Sequence, residues 1–153
     1  MAKILYVEDD EATRLTTNML LQAIGHETVE AINGADALKK LDSAETPFDL
    51  ILTDHQMPTM DGIALARAVR SRNLAIPITM LAGHDEAWIK DYHKDDKDQT
   101  PLDELGIRFA LKPCNDIEKL VTDSLTPRLI QRPAQSLGAA AASDDKPTPF
   151  ASR

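Results

Sequence analysis

Acidic side chains and one lysine follow several of the short apolar runs in this 153-residue chain. They lie after the first, third and fifth runs, and they are Glu8, Asp9, Asp10, Asp54 and Lys112. Carboxylates that lie close together repel one another unless a cation neutralises them. Mg²⁺ is usually bound by one or two carboxylates while it also contacts a phosphoryl group, and a lysine can add a point charge for that group. These residue types therefore indicate metal-assisted phosphoryl chemistry, provided that the fold brings them together.

The elements that must position these residues alternate between strand and helix. Short β-prone runs predict strands at Ile4–Val7, Thr28–Ile32, Leu50–Thr53, Ile78–Leu81 and Phe109–Leu111. Helical patterns lie between and after them, at Glu11–Ile24, Ala35–Leu41, Gly62–Arg70 and Asp116–Leu125, with a further region near Trp88. Five strands alternating with five helices imply an α/β fold whose parallel sheet is covered on both faces. Ligands of such a sheet bind outside the carboxyl ends of the strands.

Two helical patterns also predict which side chains face the core. In the first helix the predicted inward stripe consists of Leu15, Met19, Leu20 and Ile24, and Gly25 ends the helix. In the helix after the third strand it consists of Ile63, Leu65, Ala66 and Val69. We predict a turn at Asn33-Gly34.

Charge and composition exclude several classes of function. Acidic residues outnumber basic ones by 25 to 17, which gives a formal net charge of -8 and argues against binding to nucleic acid or to an anionic membrane surface. No apolar run approaches the ~20 residues of a membrane span. The single cysteine, Cys114, cannot form an internal disulfide and is typical of a reducing compartment. We therefore expect a soluble, cytoplasmic protein.

The charge is distributed unevenly, which predicts the domain organisation. Residues 84–104 carry 8 acidic and 3 basic groups, whereas residues 127–153 are basic and rich in alanine and proline. We expect one domain at residues 1–126, with a lengthened acidic segment at 84–104, and a flexible tail at 127–153.

Three of these segments resemble motifs of the receiver domain of two-component response regulators. Leu50–Gly62 is similar to the phosphoacceptor strand of that family with its Asp-x-x-Met-Pro-x-Met-Asp-Gly loop. Ile4–Glu11 resembles the acidic end of the first strand, and Phe109–Pro113 resembles the lysine-proline motif after the fifth. The resemblance covers residues 3–126. It implies a CheY-like single-domain type with a doubly wound (βα)5 flavodoxin-like fold and strand order 2-1-3-4-5.

The resemblance also implies a role for each matching residue. Asp54 would be the nucleophile that takes a phosphoryl group from a phosphohistidine and forms an aspartyl phosphate. Mg²⁺ would be bound by Asp9, by Asp54, by the backbone carbonyl of Gln56 and, through water, by Glu8. Lys112 would pair with the phosphoryl group, so that ion and lysine together neutralise the charge that develops on the transferred oxygens.

One departure from the family pattern concerns the switch. After the fourth strand the family usually has Ser or Thr, which donates a hydrogen bond to the phosphoryl group, whereas this chain has Ala82. The backbone N–H of Gly83 could still donate, and His84 is either a replacement donor or a solvated loop residue. Phe109 occupies the position of the switch aromatic. We predict that the coupling between phosphorylation and this aromatic is weakened or absent.

A second departure is the length between Ala82 and Phe109, where the stretch at 88–98 takes the place of the fourth helix and its loop. Trp88 and Tyr92 are four residues apart and share a helical face. Either both pack on the domain and the charges around them are solvated, or the face is an aromatic and acidic docking surface for a partner. His55, beside the predicted phosphoacceptor, is expected to line the mouth of the cleft.

These observations predict a stand-alone response regulator receiver that signals through protein contacts and is not a turnover enzyme. Its partners would be a sensor histidine kinase or a histidine phosphotransferase and a downstream protein, with no nucleic acid and no membrane. The alternative is a pseudo-receiver scaffold whose output does not depend on phosphate. A third class, a phosphatase of the haloacid-dehalogenase type, usually has a second Asp two residues after its nucleophile. This chain has Gln56 there, which argues against that class.

Overall fold

Five short segments form a parallel β sheet in the computed structural model, which describes residues 1–98 and 100–126. The strands are β1 (Lys3–Val7), β2 (Glu27–Ala31), β3 (Leu50–Asp54), β4 (Ile78–Ala82) and β5 (Ile107–Leu111). Their order is β2-β1-β3-β4-β5, and each neighbouring pair is parallel. Every residue of β3 and β4 is buried, as expected for strands that are covered on both faces. The predicted α/β fold with strand order 2-1-3-4-5 is confirmed; the predicted tail at 127–153 lies outside the described residues.

The helices of the described residues begin at side-chain caps. They are α1 (Glu11–Ala23), α2 (Gly34–Ser43), α3 (Gly62–Ser71), α4 (Glu86–Tyr92) and α5 (Ile117–Leu125). Before each helix an Asp or Asn side chain accepts a hydrogen bond from the N–H three residues further on; these caps are Asp10, Asn33, Asp61, Asp85 and Asp116. Asn33-Gly34 is therefore the start of α2 and not the separate turn predicted from the sequence.

Apolar side chains fill both faces of the sheet. On one face the core includes Leu5, Ile51, Ile63, Met80 and Ile89. On the other it includes Ile4, Tyr6, Leu21, Leu52 and Val121. The inward residues predicted for α3 are all buried, so that part of the periodicity argument is confirmed.

The stripe predicted for α1 is wrong for three of its four residues, and only Ile24 packs against the core as predicted. Leu15, Met19 and Leu20 are 49%, 69% and 49% exposed, whereas Leu21 is completely buried. Polar contacts accompany this orientation, since Arg14 and Asn18 both bind the carboxylate of Glu30 on β2, at 3.2 and 2.9 Å. The pattern of apolar residues alone could not show that two polar side chains attach this helix to the edge of the sheet.

The acidic segment at 84–104 contains a short fourth helix. Helix α4 has seven residues and buries Ile89. A 3-10 turn at Leu102–Leu105 follows, and both of its leucines are buried. The segment is therefore attached to the domain at both ends through apolar side chains. No helix among the described residues has the length and apolar character needed to cross a membrane.

Gly62 allows α3 to begin directly against the end of β3. A Cβ atom at this position would overlap the backbone oxygen of Asp54 and lie 2.9 Å from the terminal methyl group of Met80. A Cβ atom at Gly83, in the loop after β4, would have no heavy atom within 4 Å. The two glycines therefore form a matched pair for a test of this packing.

We predict that Gly62→Ala lowers the free energy of unfolding by about 1–3 kcal/mol, because the backbone of the strand cannot move aside without disturbing the core. The control Gly83→Ala should change it by less than about 0.5 kcal/mol. Urea unfolding followed by circular dichroism measures both. Equal losses in the two variants would contradict the proposed close contact.

Candidate functional site

The carboxyl ends of three strands bring four charged side chains together. Glu8 and Asp9 follow β1, Asp54 ends β3, and Lys112 follows β5. A carboxylate oxygen from each of the three acidic residues lies within 4.8 Å of the others. The ammonium nitrogen (Nζ) of Lys112 lies 2.7 Å from Oδ1 of Asp54 and 3.9 Å from Oε1 of Glu8. The sheet order explains this arrangement, since β1 and β3 are neighbours and the loop after β5 extends toward them.

The four side chains differ in their access to solvent. Glu8 is 3% and Asp54 is 8% exposed, whereas Asp9 lies at the surface. Oδ1 of Asp54 also accepts a hydrogen bond of 2.9 Å from the N–H of His55. Two buried carboxylates thus lie beneath an exposed one, with the lysine beside them.

Burial raises the pKa of Glu8 to about 7. The N–H of Asp10 donates to Glu8 and opposes this effect, the charge of Asp54 adds to it, and the charge of Lys112 lowers the pKa again. One lysine therefore does not compensate for two buried carboxylates and an exposed one. Oxygen donors with excess negative charge are the ligands that a hard divalent cation prefers, so Glu8, Asp9 and Asp54 fit Mg²⁺.

Gln56 lies in the loop between β3 and α3, two residues after Asp54, and its side chain is exposed. Its predicted contribution is a backbone carbonyl, which this exposure leaves unaffected. The same loop ends at Asp61, the cap of α3, so Gln56 lies in a short connection whose two ends belong to regular elements.

The predicted switch residues lie along β4 and β5. Ala82 is 1% exposed at the end of β4, and its backbone oxygen accepts a hydrogen bond of 2.8 Å from the N–H of Lys112. Gly83 is exposed, and the partly buried Phe109 packs against the apolar core that includes Ala82. Although the methyl group of Ala82 cannot donate to a phosphoryl group, its main chain helps to position the lysine.

The predicted partner face is an aromatic stack on α4. The rings of Trp88 and Tyr92 stack with centroids 5.1 Å apart, and His84 stacks on Trp88 at 3.7 Å. Trp88 is 38% and Tyr92 is 55% exposed. The two rings therefore pack on one another and still remain accessible. The sequence left open whether they pack on the domain or form a docking surface, and this arrangement has features of both. His84 is exposed and belongs to this stack.

The prediction that His55 lines the mouth of the cleft is wrong, because this side chain is buried and only 2% exposed. Its ring Nε2 lies 2.9 Å from Nε2 of His93, which is also buried, and the ring of Tyr92 meets it edge-on at a centroid distance of 6.0 Å. Burial, followed by the neighbouring His93, lowers the pKa of His55. The sequence carries no signal for this pair, because the two histidines are 38 residues apart and only the fold brings them together.

The family model of the response regulator receiver domain matches residues 4–95. This chain belongs to the response regulator receiver domain family. The match includes the segments that carry Glu8, Asp9, Asp54 and Gln56, and it ends before β5 and Lys112. Receiver domains are signalling domains of two-component systems, and they generally bind Mg²⁺ in an acidic pocket like the one described above.

Curated relatives and solved structures agree with this family. The chain is 38% identical to the two-component response regulator ORR41 of rice. The 84 matched residues are 54% of this chain and 66% of the relative. It is also 38% identical to the alkaline phosphatase synthesis transcriptional regulatory protein PhoP of Bacillus subtilis. The 88 matched residues are 58% of this chain and 36% of the relative. The chain thus spans less than two thirds of the length of these relatives.

Two solved structures are similar over most of the described residues. The chemotaxis response regulator CheY4 of Vibrio cholerae is 32% identical with a TM-score of 0.67, over 82% of this chain and 99% of that chain. The response regulator TrrA of Thermotoga maritima, solved in complex with Mg²⁺ and BeF, is 26% identical with a TM-score of 0.64. The match covers 82% of this chain and 100% of that chain.

Proposed function

We propose that Asp54 of this receiver domain accepts a phosphoryl group from a phosphohistidine, with Mg²⁺ bound at Glu8, Asp9, Asp54 and the carbonyl of Gln56. The observation that carries the proposal is the cluster at the strand ends, in which the carboxylate of Asp54 lies 2.7 Å from Lys112 and within 4.8 Å of two further carboxylates. The donor would be a sensor histidine kinase or a histidine phosphotransferase.

The contacts of Asp54 indicate how it would attack. Within the described residues, its contacts with Lys112 and with the N–H of His55 both fall on Oδ1, which leaves Oδ2 to approach the phosphorus. A bond then forms between this oxygen and phosphorus as the bond to the donor imidazole nitrogen breaks, and that nitrogen takes up a proton. Lys112 would move from the carboxylate to the phosphoryl oxygens. Bound Mg²⁺ would supply positive charge for the same oxygens.

The output of the domain would be a protein contact. The accessible stack of Trp88 and Tyr92 lies on α4, in the acidic segment at 84–104, and aromatic side chains are common anchors of interfaces. We propose that this face binds a downstream protein, that residues 1–126 form the receiver unit, and that the protein acts as a response regulator in the cytoplasm. Its single phosphorylation would make it a signalling protein and not a turnover enzyme.

A second candidate function is a scaffold whose output does not depend on phosphate. The observation that favours it is Ala82, whose buried methyl group offers no hydrogen bond to a phosphoryl oxygen. Glu8, Asp9, Asp54 and Lys112 nevertheless form the complete charged cluster, which a scaffold would not need. The first function therefore has the stronger support.

We predict that the protein gains one phosphoryl group when it is incubated with Mg²⁺ and acetyl phosphate, and that Asp54→Asn prevents this. Intact-protein mass spectrometry measures the added mass. Asp49→Asn is a control, because Asp49 is an exposed aspartate at the opposite end of β3 and should not affect the modification. Absence of modification in the wild type would favour the scaffold, and sustained release of phosphate at enzymatic rates would favour a phosphatase.

We also predict that Ala82→Thr strengthens the response of Phe109 to phosphorylation, because the new hydroxyl group can donate to the phosphoryl oxygens. Ala82→Val is the matched control, since valine has nearly the same shape as threonine and no donor. NMR spectra of the Phe109 ring, recorded before and after phosphorylation, should show a larger shift change in Ala82→Thr than in the wild type or in Ala82→Val. Equal changes in all three proteins would contradict the proposed weakening of the switch.

A further inference from the structure

A second group of metal-ligating side chains lies next to the phosphoacceptor strand and shares no residue with the acidic cluster. His55 follows β3, Asp61 caps α3, and His93 ends α4. Nε2 of His55 lies 2.9 Å from Nε2 of His93, and Oδ2 of Asp61 lies 4.0 Å from the latter. One ligand atom from each residue falls within 4.8 Å of the other two.

The environment of His93 orients its imidazole ring. Its Nδ1 lies 2.7 Å from Oδ2 of Asp96, and that carboxylate is bound in turn by Arg67 at 2.6 Å. An ionised carboxylate only accepts hydrogen bonds, so Nδ1 of His93 is the donor in this contact. The other ring nitrogen, Nε2, faces His55 and Asp61, and it is the atom that a metal ion would bind. A carboxylate behind a histidine in this way is the usual companion of a metal-bound imidazole.

Burial and charge make the three side chains suitable as a set. His55 is 2% and His93 is 6% exposed, so water solvates neither imidazole fully. The side chain of Asp61 is 29% exposed, and only its Oδ1 is used to cap α3, at 2.8 Å from the N–H of Ala64. The cap leaves Oδ2, which lies 4.0 Å from Nε2 of His93, to bind an ion, and the partial exposure of this side chain would give the ion access and room for a water molecule.

We propose that His55, Asp61 and His93 form a binding site for a divalent transition-metal ion, with Zn²⁺ as the expected occupant. Two imidazoles and one carboxylate with an open fourth position are a recurrent ligand set for Zn²⁺. Imidazole favours Zn²⁺ and its neighbours in the first transition row, whereas Mg²⁺ prefers oxygen, so the two sites of this domain would select different ions.

The distances require only small movements. In a tetrahedral site with bonds of about 2.0–2.1 Å, neighbouring ligand atoms are about 3.3 Å apart. The two Nε2 atoms would have to separate slightly from 2.9 Å, and Asp61 would have to approach from 4.0 Å. The bound ion would join the residue after Asp54 to the start of α3 and the end of α4, and so attach the acidic segment at 84–104 to the phosphoacceptor loop.

The test is a titration of the full chain with Co²⁺, whose visible absorption reports imidazole ligands. Excess Mg²⁺ is present throughout to saturate the acidic cluster. We expect one equivalent of Co²⁺ to bind and Zn²⁺ to displace it. His93→Gln should abolish this absorption, and Asp96→Asn should weaken Co²⁺ binding by about 10–100-fold because it removes the group that orients His93. The matched control is His84→Gln, an exposed histidine of the same segment, which should bind Co²⁺ as the wild type does.

A further variant separates the two sites. Asp9→Asn alters the acidic cluster and should leave the Co²⁺ absorption unchanged. Circular dichroism checks that each variant is folded, and X-ray absorption of the Zn²⁺-loaded wild type, which needs no variant, should find two imidazole ligands. The proposal is overturned if no Co²⁺ binds in excess Mg²⁺, if Asp9→Asn removes the bound equivalent, or if the shell of Zn²⁺ contains only oxygen.

Discussion

Carboxylates at the ends of two adjacent strands repel one another, and the site described here depends on how the fold opposes that repulsion. Glu8 and Asp54 are both buried, and β1 and β3 are neighbours in the sheet, so neither carboxylate can turn away into water. Lys112 reaches them from the end of β5 and lies within 4 Å of both. One positive charge does not neutralise two buried carboxylates and the nearby Asp9, and the pKa of Glu8 is raised chiefly by burial, with the charge of Asp54 adding to the effect. A divalent cation would neutralise the excess negative charge. The proposed phosphoryl chemistry and the stability of the cluster therefore both require such an ion.

Much of this arrangement could be predicted from the sequence, because it depends on short-range patterns. Apolar runs located the strands, and residues directly after them must lie at one edge of a parallel sheet. Glu8, Asp54 and Lys112 meet at that edge for this reason. The order of the strands came from the resemblance of three motifs to a known family, and the structure confirms it.

The parts that could not be predicted depend on contacts between residues far apart in the chain. The orientation of α1 includes the contacts of Arg14 and Asn18 with Glu30 on a different element. His55 and His93 pair across 38 residues, and no local pattern distinguishes a buried histidine from an exposed one. The accessibility of Trp88 and Tyr92 also required the structure, since stacking on a neighbour and packing into a core have the same helical spacing.

The end of β3 therefore lies between two groups of different chemistry. On one side are oxygen ligands that suit Mg²⁺, and on the other are two imidazoles that face one another, of which His93 is oriented by Asp96. The loop from His55 to Asp61 belongs to both groups. Its first residue, His55, connects that loop to the end of α4 through the contact with His93.

The most direct test of the central claim, that the acidic cluster is built around a divalent cation, is a calorimetric titration with Mg²⁺. Because burial raises the pKa of Glu8 to about 7 without the ion, Mg²⁺ should displace protons near neutral pH and bind more weakly at lower pH. Titrations in two buffers of different ionisation enthalpy measure this proton release, and Glu8→Gln should eliminate it. Absence of Mg²⁺ binding, or binding that is the same at pH 5.5 and pH 8 with no proton released, would contradict the account.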